Sequence, residues 1–157
     1  MHKTAIFVDV QNIYYTTKAI YNRSFDYRKF WRDCSKNHDI VNATAYAIDS
    51  NDTGQQKFQA ALRHIGFNVK LKPYIQRADG SAKGDWDVGI TIDIMEQAPV
   101  VDKIILLSGD GDFSILLEHV AKHKNVITQV HSVTKLTAKT LMDCTDTHRE
   151  ILMADLI

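Results

Sequence analysis

Cysteine is scarce: the 157-residue sequence holds only Cys34 and Cys144, far apart and outside any CxxC or Cys/His zinc spacing. That argues against a disulfide-stapled secreted scaffold and a structural zinc site. It reads instead as two thiols in a reducing compartment, the cytoplasm. Net charge is lacking as well. Lysine plus arginine and aspartate plus glutamate number 19 each, so bulk charge offers no argument for a nucleic-acid partner, which would depend on a local patch. The clearest patch is Lys70, Lys72, Arg77 and Lys83, interleaved with Tyr74 and Trp86, although a solvated surface is the plainer reading of it alone. No apolar run approaches the ~20 residues needed to cross a bilayer. The opening "MHKTAIFVDV" is broken by Asp9, so neither an anchor nor a signal peptide is expected. There is no internal repeat, low-complexity tract or linker, and 45% hydrophobic content suffices for one domain over 1–157.

What is present is an alternation of apolar runs and helical periodicities. "TAIFVD" (4–9), "VNATAYAI" (41–48), "DKIILLS" (102–108) and "NVITQVHSV" read as buried strands, and "FNVKLKPYI" (67–75) as a strand near a sheet edge with one wet face. Between them, Ile13 and Ile20, then Tyr27, Phe30, Trp31 and Cys34, then Phe58, Ala61, Leu62 and Ile65, mark helices. "WDVGITIDIMEQ" is a helix apolar on most sides, "FSILLEHVAKH" is another, and the tail from about 136 to 156 predicts one or two more. Strands alternating with helices predict an α/β fold with a parallel sheet covered on both faces. In such a sheet the functional crevice lies beyond the carboxyl ends of the strands, where strand order reverses.

That edge collects acids. Asp9 ends the first strand, and Asp110 and Asp112 follow the fourth in "LLSGDGDF"; Asp87 opens the apolar helix, with Asp85 the better cap by position. Under the plain reading, Asp110 caps its helix and Asp112 sits in the first turn, where the dipole favours it. Four carboxylates brought together would repel one another unless a cation offset them, and all-oxygen ligation favours Mg²⁺ or Mn²⁺ over Zn²⁺. Such a site suits a phosphodiester or phosphate ester. Other phosphate and metal motifs fail. There is no GxGxxG or P-loop. "DGDFSILLEHVA" has Ile115 and Ala121 where an EF-hand loop needs glycine and glutamate, and "DVQN" lacks the second aspartate of aspartyl-phosphate phosphatases.

On "FVDVQNIYY", "KGDWDVGITIDIM" and "LLSGDGDFSILLEHV", in that order, the chain resembles the NYN domain family, a branch of the PIN-like nucleases, and especially its LabA-like group. "HSVTKLTAKTLMDCTD" is similar to the family's final strand and helix. The resemblance implies a three-layer α/β/α fold and a five-stranded parallel sheet ordered 3-2-1-4-5. It also implies Mg²⁺- or Mn²⁺-dependent cleavage of RNA, single-stranded RNA being the expected partner. Carried over by position, Asp9, Asp87, Asp110 and Asp112 are the catalytic, metal-binding acids, with Asn12 beside the first. Asp93 matches a further family acid. Six positions after Asp87 it points about 120 degrees away on a helix, which leaves open a direct ligand on the one hand and an acid behind the ligands or a structural one on the other. Val10 stands where the family commonly has glycine.

Three residues are candidate substrate contacts with plainer alternatives. Asn12 could orient a water or satisfy a backbone group in the turn. Lys83 could meet a phosphate or be merely solvated. Trp86 could stack on a base or pack. A catalytically weak RNA-binding or regulatory module is the alternative to the ribonuclease, and phosphomonoester chemistry a third reading. A homo-oligomer is compatible with everything in the sequence.

Overall fold

The computed structural model describes residues 1–73, 75–76, 82–83 and 85–157, with the backbone alone at 75–76 and 82–83. The apolar runs become strands because their alternating side chains are buried on both faces. In chain order the elements are β1 (His2–Asp9), α1 (Val10–Tyr21), α2 (Tyr27–Ser35), β2 (His38–Asp49), α3 (Thr53–Ile65), β3 (Asn68–Pro73), β4 (Ile75–Gln76), β5 (Ala82–Lys83), α4 (Asp87–Gln97), β6 (Lys103–Leu107), α5 (Ser114–Lys124), β7 (Ile127–Ser132), α6 (Lys139–Cys144) and β8 (Thr147–Glu150). The main sheet runs β3-β2-β1-β6-β7-β8, and every pairing in it is parallel. β4 and β5 form a small antiparallel ladder apart from it.

The pleat divides the core in two. Ile6, Val8, Ile105 and Leu107 join Ile13, Tyr27, Phe30 and Leu62 on the face covered by α1, α2 and α3. Ala5, Phe7, Ile104 and Leu106 join Ile90, Ile94, Phe113 and Leu117 on the face of α4 and α5. Both faces being covered, Ala5–Val8 of β1 and Ile104–Leu107 of β6 are wholly apolar, as burial in an all-parallel sheet demands. On α1 the buried stripe is Ile13, Thr16 and Thr17; Ile20 lies at its rim, 36% exposed. Gly66 ends α3 at φ 137°, where a Cβ would lie 2.7 Å from the Trp31 ring. Glycine is therefore required there on both backbone and packing grounds.

The sheet has six strands where five were expected, so the order, counted within the main sheet, is 3-2-1-4-5-6. The addition comes from the tail, whose expected helices reduce to α6 followed by β8. β8, "THRE", is largely exposed and has no apolar run; what makes it a strand is its backbone pairing with β7 from Gln129 to Ser132. A short, wet edge strand leaves little trace in hydrophobic periodicity.

The chain builds outward from β1 to β3, then α4 carries it back so that β6 lies on the other side of β1. Strand order reverses between β1 and β6, and Val8 pairs with Leu107 as the last register there. Asp9 and Ser108 thus emerge together at the carboxyl edge. Among the described residues no helix is long and apolar enough to cross a membrane.

Candidate functional site

Asp9 caps α1 as it ends β1. Its Oδ1 accepts the Asn12 N–H at 3.4 Å and its Oδ2 accepts the Ser108 hydroxyl at 3.1 Å. With 9% of its surface exposed, burial pushes the carboxyl pKa up to about 6. The hydrogen bonds from Ser108 and Asn12 oppose that rise, while the charges of Asp110 and Asp85 add to it.

Ser108 also accepts the Asp110 N–H at 3.2 Å, so one hydroxyl joins the ends of β1 and β6. Asn12 makes a second tie: its Oδ1 accepts the Gly109 N–H at 2.9 Å. The carbonyl end of the Asn12 amide is therefore committed to the backbone, leaving its NH₂ as the donor that could face a ligand. Asp110 caps a 3₁₀ turn over Gly111–Phe113, its Oδ1 accepting the Asp112 N–H at 2.9 Å, and Phe113 is buried in the core. The cap proposed for Asp110 on local grounds and its place among the acids are thus compatible.

Asp87 arrives from the first turn of α4, on the face of the sheet opposite α1, where Asp85 Oδ1 accepts its N–H at 3.2 Å. Asp87, Asp110 and Asp112 each bring a carboxylate oxygen within 4.8 Å of the other two. Burial, then the charges of Asp110, Asp85 and Asp9, and a hydrogen bond with Asp110 lift the Asp87 pKa to about 7. Three of the four expected acids form the set; Asp9 lies beside it and acts on it through charge and through Ser108. The donors are all oxygen, and beyond burial the neighbouring carboxylates raise the Asp9 and Asp87 pKa values further, as crowded negative charge does. A hard divalent cation fits both features.

Asp93 belongs to a neighbouring network. Its Oδ2 accepts the Tyr46 hydroxyl and the Lys70 ammonium, each at 2.7 Å, tying α4 to β2 and β3. Tyr46 is in register with Asp9, so the Asp93–Tyr46 bond links this network to the strand beside Asp9. Trp86 packs against Tyr46 with ring centroids 5.3 Å apart, donates Nε1–H to the Ala47 carbonyl at 2.9 Å, and carries Lys72 Nζ 4.7 Å above its ring. Tyr74, Arg77 and the Lys83 side chain lie outside the described residues. Sequence reasoning gave Ser108 no role; its only signal was its place between the apolar run and the glycine of "LLSGD".

The acidic loop sits flat on the segment entering α6, whose Ala138 N–H donates to the Gly109 carbonyl at 3.1 Å. A Cβ on Gly111 would lie 2.8 Å from the Ala138 Cβ. Gly111→Ala is expected to destabilise the protein by ~1–3 kcal/mol through overpacking, measured by urea unfolding.

The NYN domain model matches residues 3–152. The Low amplitude and bright protein LabA of Synechococcus elongatus is 29% identical, over 95% of this chain and 83% of its own length. A crystal structure of a protein of unknown function from Vibrio parahaemolyticus superposes with a TM-score of 0.94 at 52% identity, covering 99% of this chain and 96% of that one. Ribokinase from Giardia lamblia shares only the α/β framework, with a TM-score of 0.51 at 12% identity over 94% of this chain and 57% of its own. With its three motifs in order and its acids at the switch point of a parallel sheet, the chain belongs to the NYN domain family of PIN-like nucleases.

Proposed function

We propose that residues 1–157 act as a single cytoplasmic domain, a Mg²⁺- or Mn²⁺-dependent ribonuclease that hydrolyses phosphodiester bonds of single-stranded RNA. The observation that carries this is the convergence of Asp87, Asp110 and Asp112 at the edge where strand order reverses, with Asp9 beside them. When bound, the cation would offset the carboxylates, make water a better nucleophile and brace the charge growing on the phosphate.

The protein's own share is placement. Asp87, Asp110 and Asp112 would hold the cation. Asp9, clamped by Ser108 and Asn12, contributes a fixed negative charge at the back of the site. The Asn12 NH₂ is the neutral donor available to orient a water or a phosphate oxygen. Asp93 keeps Tyr46, and through it Trp86, in position. Hydrolysis adds water across one P–O bond, leaving a phosphate monoester and an alcohol that takes the proton.

One observation favours a second reading, a binding or regulatory module with little turnover. Two described lysines of the basic patch are engaged, Lys70 by Asp93 and Lys72 by the Asp85 carbonyl at 2.9 Å and the Trp86 ring. Neither is then a free cation for gripping RNA. Incubation with end-labelled single-stranded RNA and Mn²⁺ separates the two. Multiple-turnover cleavage stopped by EDTA is expected; cation-dependent binding without product would favour the module, and hydrolysis of small phosphate esters alone would replace RNA as the substrate class.

A further inference from the structure

Beside the acids, at the carboxyl ends of β2 and β3, α1 and α3 stand apart and enclose a cleft of about 910 Å³. This volume falls within the range of small-molecule sites, and its lining is mostly apolar with a few polar groups. Val10 and Gln11 form part of its wall, and they directly follow Asp9, so cleft and acid cluster share one border.

Two features of the lining are open to a ligand. Tyr27 lines the cleft with 7% of its surface exposed, and its hydroxyl makes no hydrogen bond among the described residues. A phenol O–H in that setting is free to donate to a ligand. Asp9 is the charged group that acts on this phenol, which places the cleft floor within electrostatic reach of the acids. At the mouth, Tyr14 and Tyr15 are 47% and 64% exposed and meet edge to face with centroids 5.4 Å apart. They contribute little to the core and offer aromatic surface where a strand crossing the acids would pass.

We infer that this cleft takes one nucleobase of the RNA strand whose phosphate lies at the acids, the Tyr27 hydroxyl donating to a carbonyl or ring nitrogen of the base and Tyr14 or Tyr15 lying against its face. The inference rests on the ribonuclease reading. Charge selects the base over the phosphate: the charged residues lining the cleft are Asp26, Asp49 and Arg28, one cation against two acids. A phosphate would be repelled, whereas a neutral, flat ring with acceptors on its edge can accept from the phenol.

The test uses full-length protein carrying Asp110→Asn, so that RNA stays intact. Fluorescein-labelled ten-nucleotide oligomers of U, C, A and G are titrated in Mg²⁺ alongside an abasic ribose-phosphate oligomer. Adding Tyr27→Phe, which removes only the hydroxyl, is expected to weaken binding of at least one base-bearing oligomer by about threefold to tenfold. Tyr15→Ala should weaken it by about fivefold to 100-fold. Neither change should alter affinity for the abasic oligomer. Unchanged affinity for all four oligomers, or an equal loss with the abasic one, would overturn the assignment. Should the parent bind no RNA, the ribonuclease reading fails separately. Mononucleosides then test the cleft by chemical-shift changes at the Val10 and Gln11 amides: shifts abolished by Tyr27→Phe sustain base binding, and their absence refutes it.

Discussion

Asp110→Asn is expected to lower Mn²⁺-dependent RNA cleavage by ~10²–10³-fold while leaving the fold intact or slightly more stable. Asparagine is as good a cap as aspartate, so the Asp112 N–H keeps an acceptor and the Gly111–Phe113 turn persists. What disappears is a negative charge that raises the pKa of both Asp9 and Asp87. With repulsion relieved, the cation-free variant should melt at or above the temperature of the parent near pH 8. Single-turnover rates and thermal melts of the same preparations check both halves. Parent-like cleavage would remove Asp110 from the site, and a collapsed melting temperature would mean that its role is structural.

The second large effect is a coupling between pH, cation and stability. Asp9 titrates at about 6 and Asp87 at about 7 in the folded protein, against about 3.8 for a free aspartate. The folded state therefore binds protons more tightly than the unfolded state, and stability must fall as pH rises from about 4 through about 7. Asp9, the more buried of the two, is worth at most ~3 kcal/mol over that window. In a chain of this size that corresponds to a fall of roughly 5–10 °C in Tm between pH 4 and pH 8 without added metal. A divalent cation changes the balance, because it binds the ionised acids and only the folded chain assembles them. Millimolar Mn²⁺ should thus recover much of the loss at pH 8 and have little effect at pH 5, read by calorimetry. A melting temperature independent of both pH and Mn²⁺ would show that the carboxylates are neither strained nor able to hold a cation.

The parallel sheet was legible because each central strand is an apolar run closed by a polar residue, and burial on both faces allows little else. Asp9 and Asp110 could be placed at one edge from that pattern, since every parallel strand ends on the same side. Asp87 was legible as a charge heading an apolar helix. β8 was not, because "THRE" buries too little to show a period and is a strand only through its backbone pairing with β7. Asp93 was ambiguous by helical angle; its engagement by Tyr46 and Lys70 depends on partners 47 and 23 residues away that no local spacing announces. Trp86 left stacking and packing open, and its indole N–H to the Ala47 carbonyl is again a contact across layers.

By itself, then, the sequence determined the layer architecture and which acids could reach the crevice, because periodicity and strand direction are local properties read along the chain. Only the tertiary structure decided that Asp87, Asp110 and Asp112 form the inner set with Asp9 beside them, that Ser108 and Asn12 lock the two strand ends, and that a cleft floored by Tyr27 opens next door. Those outcomes depend on how far apart helices sit and which side chain meets which across the sheet. Packing sets such distances, and no run of neighbouring residues encodes them.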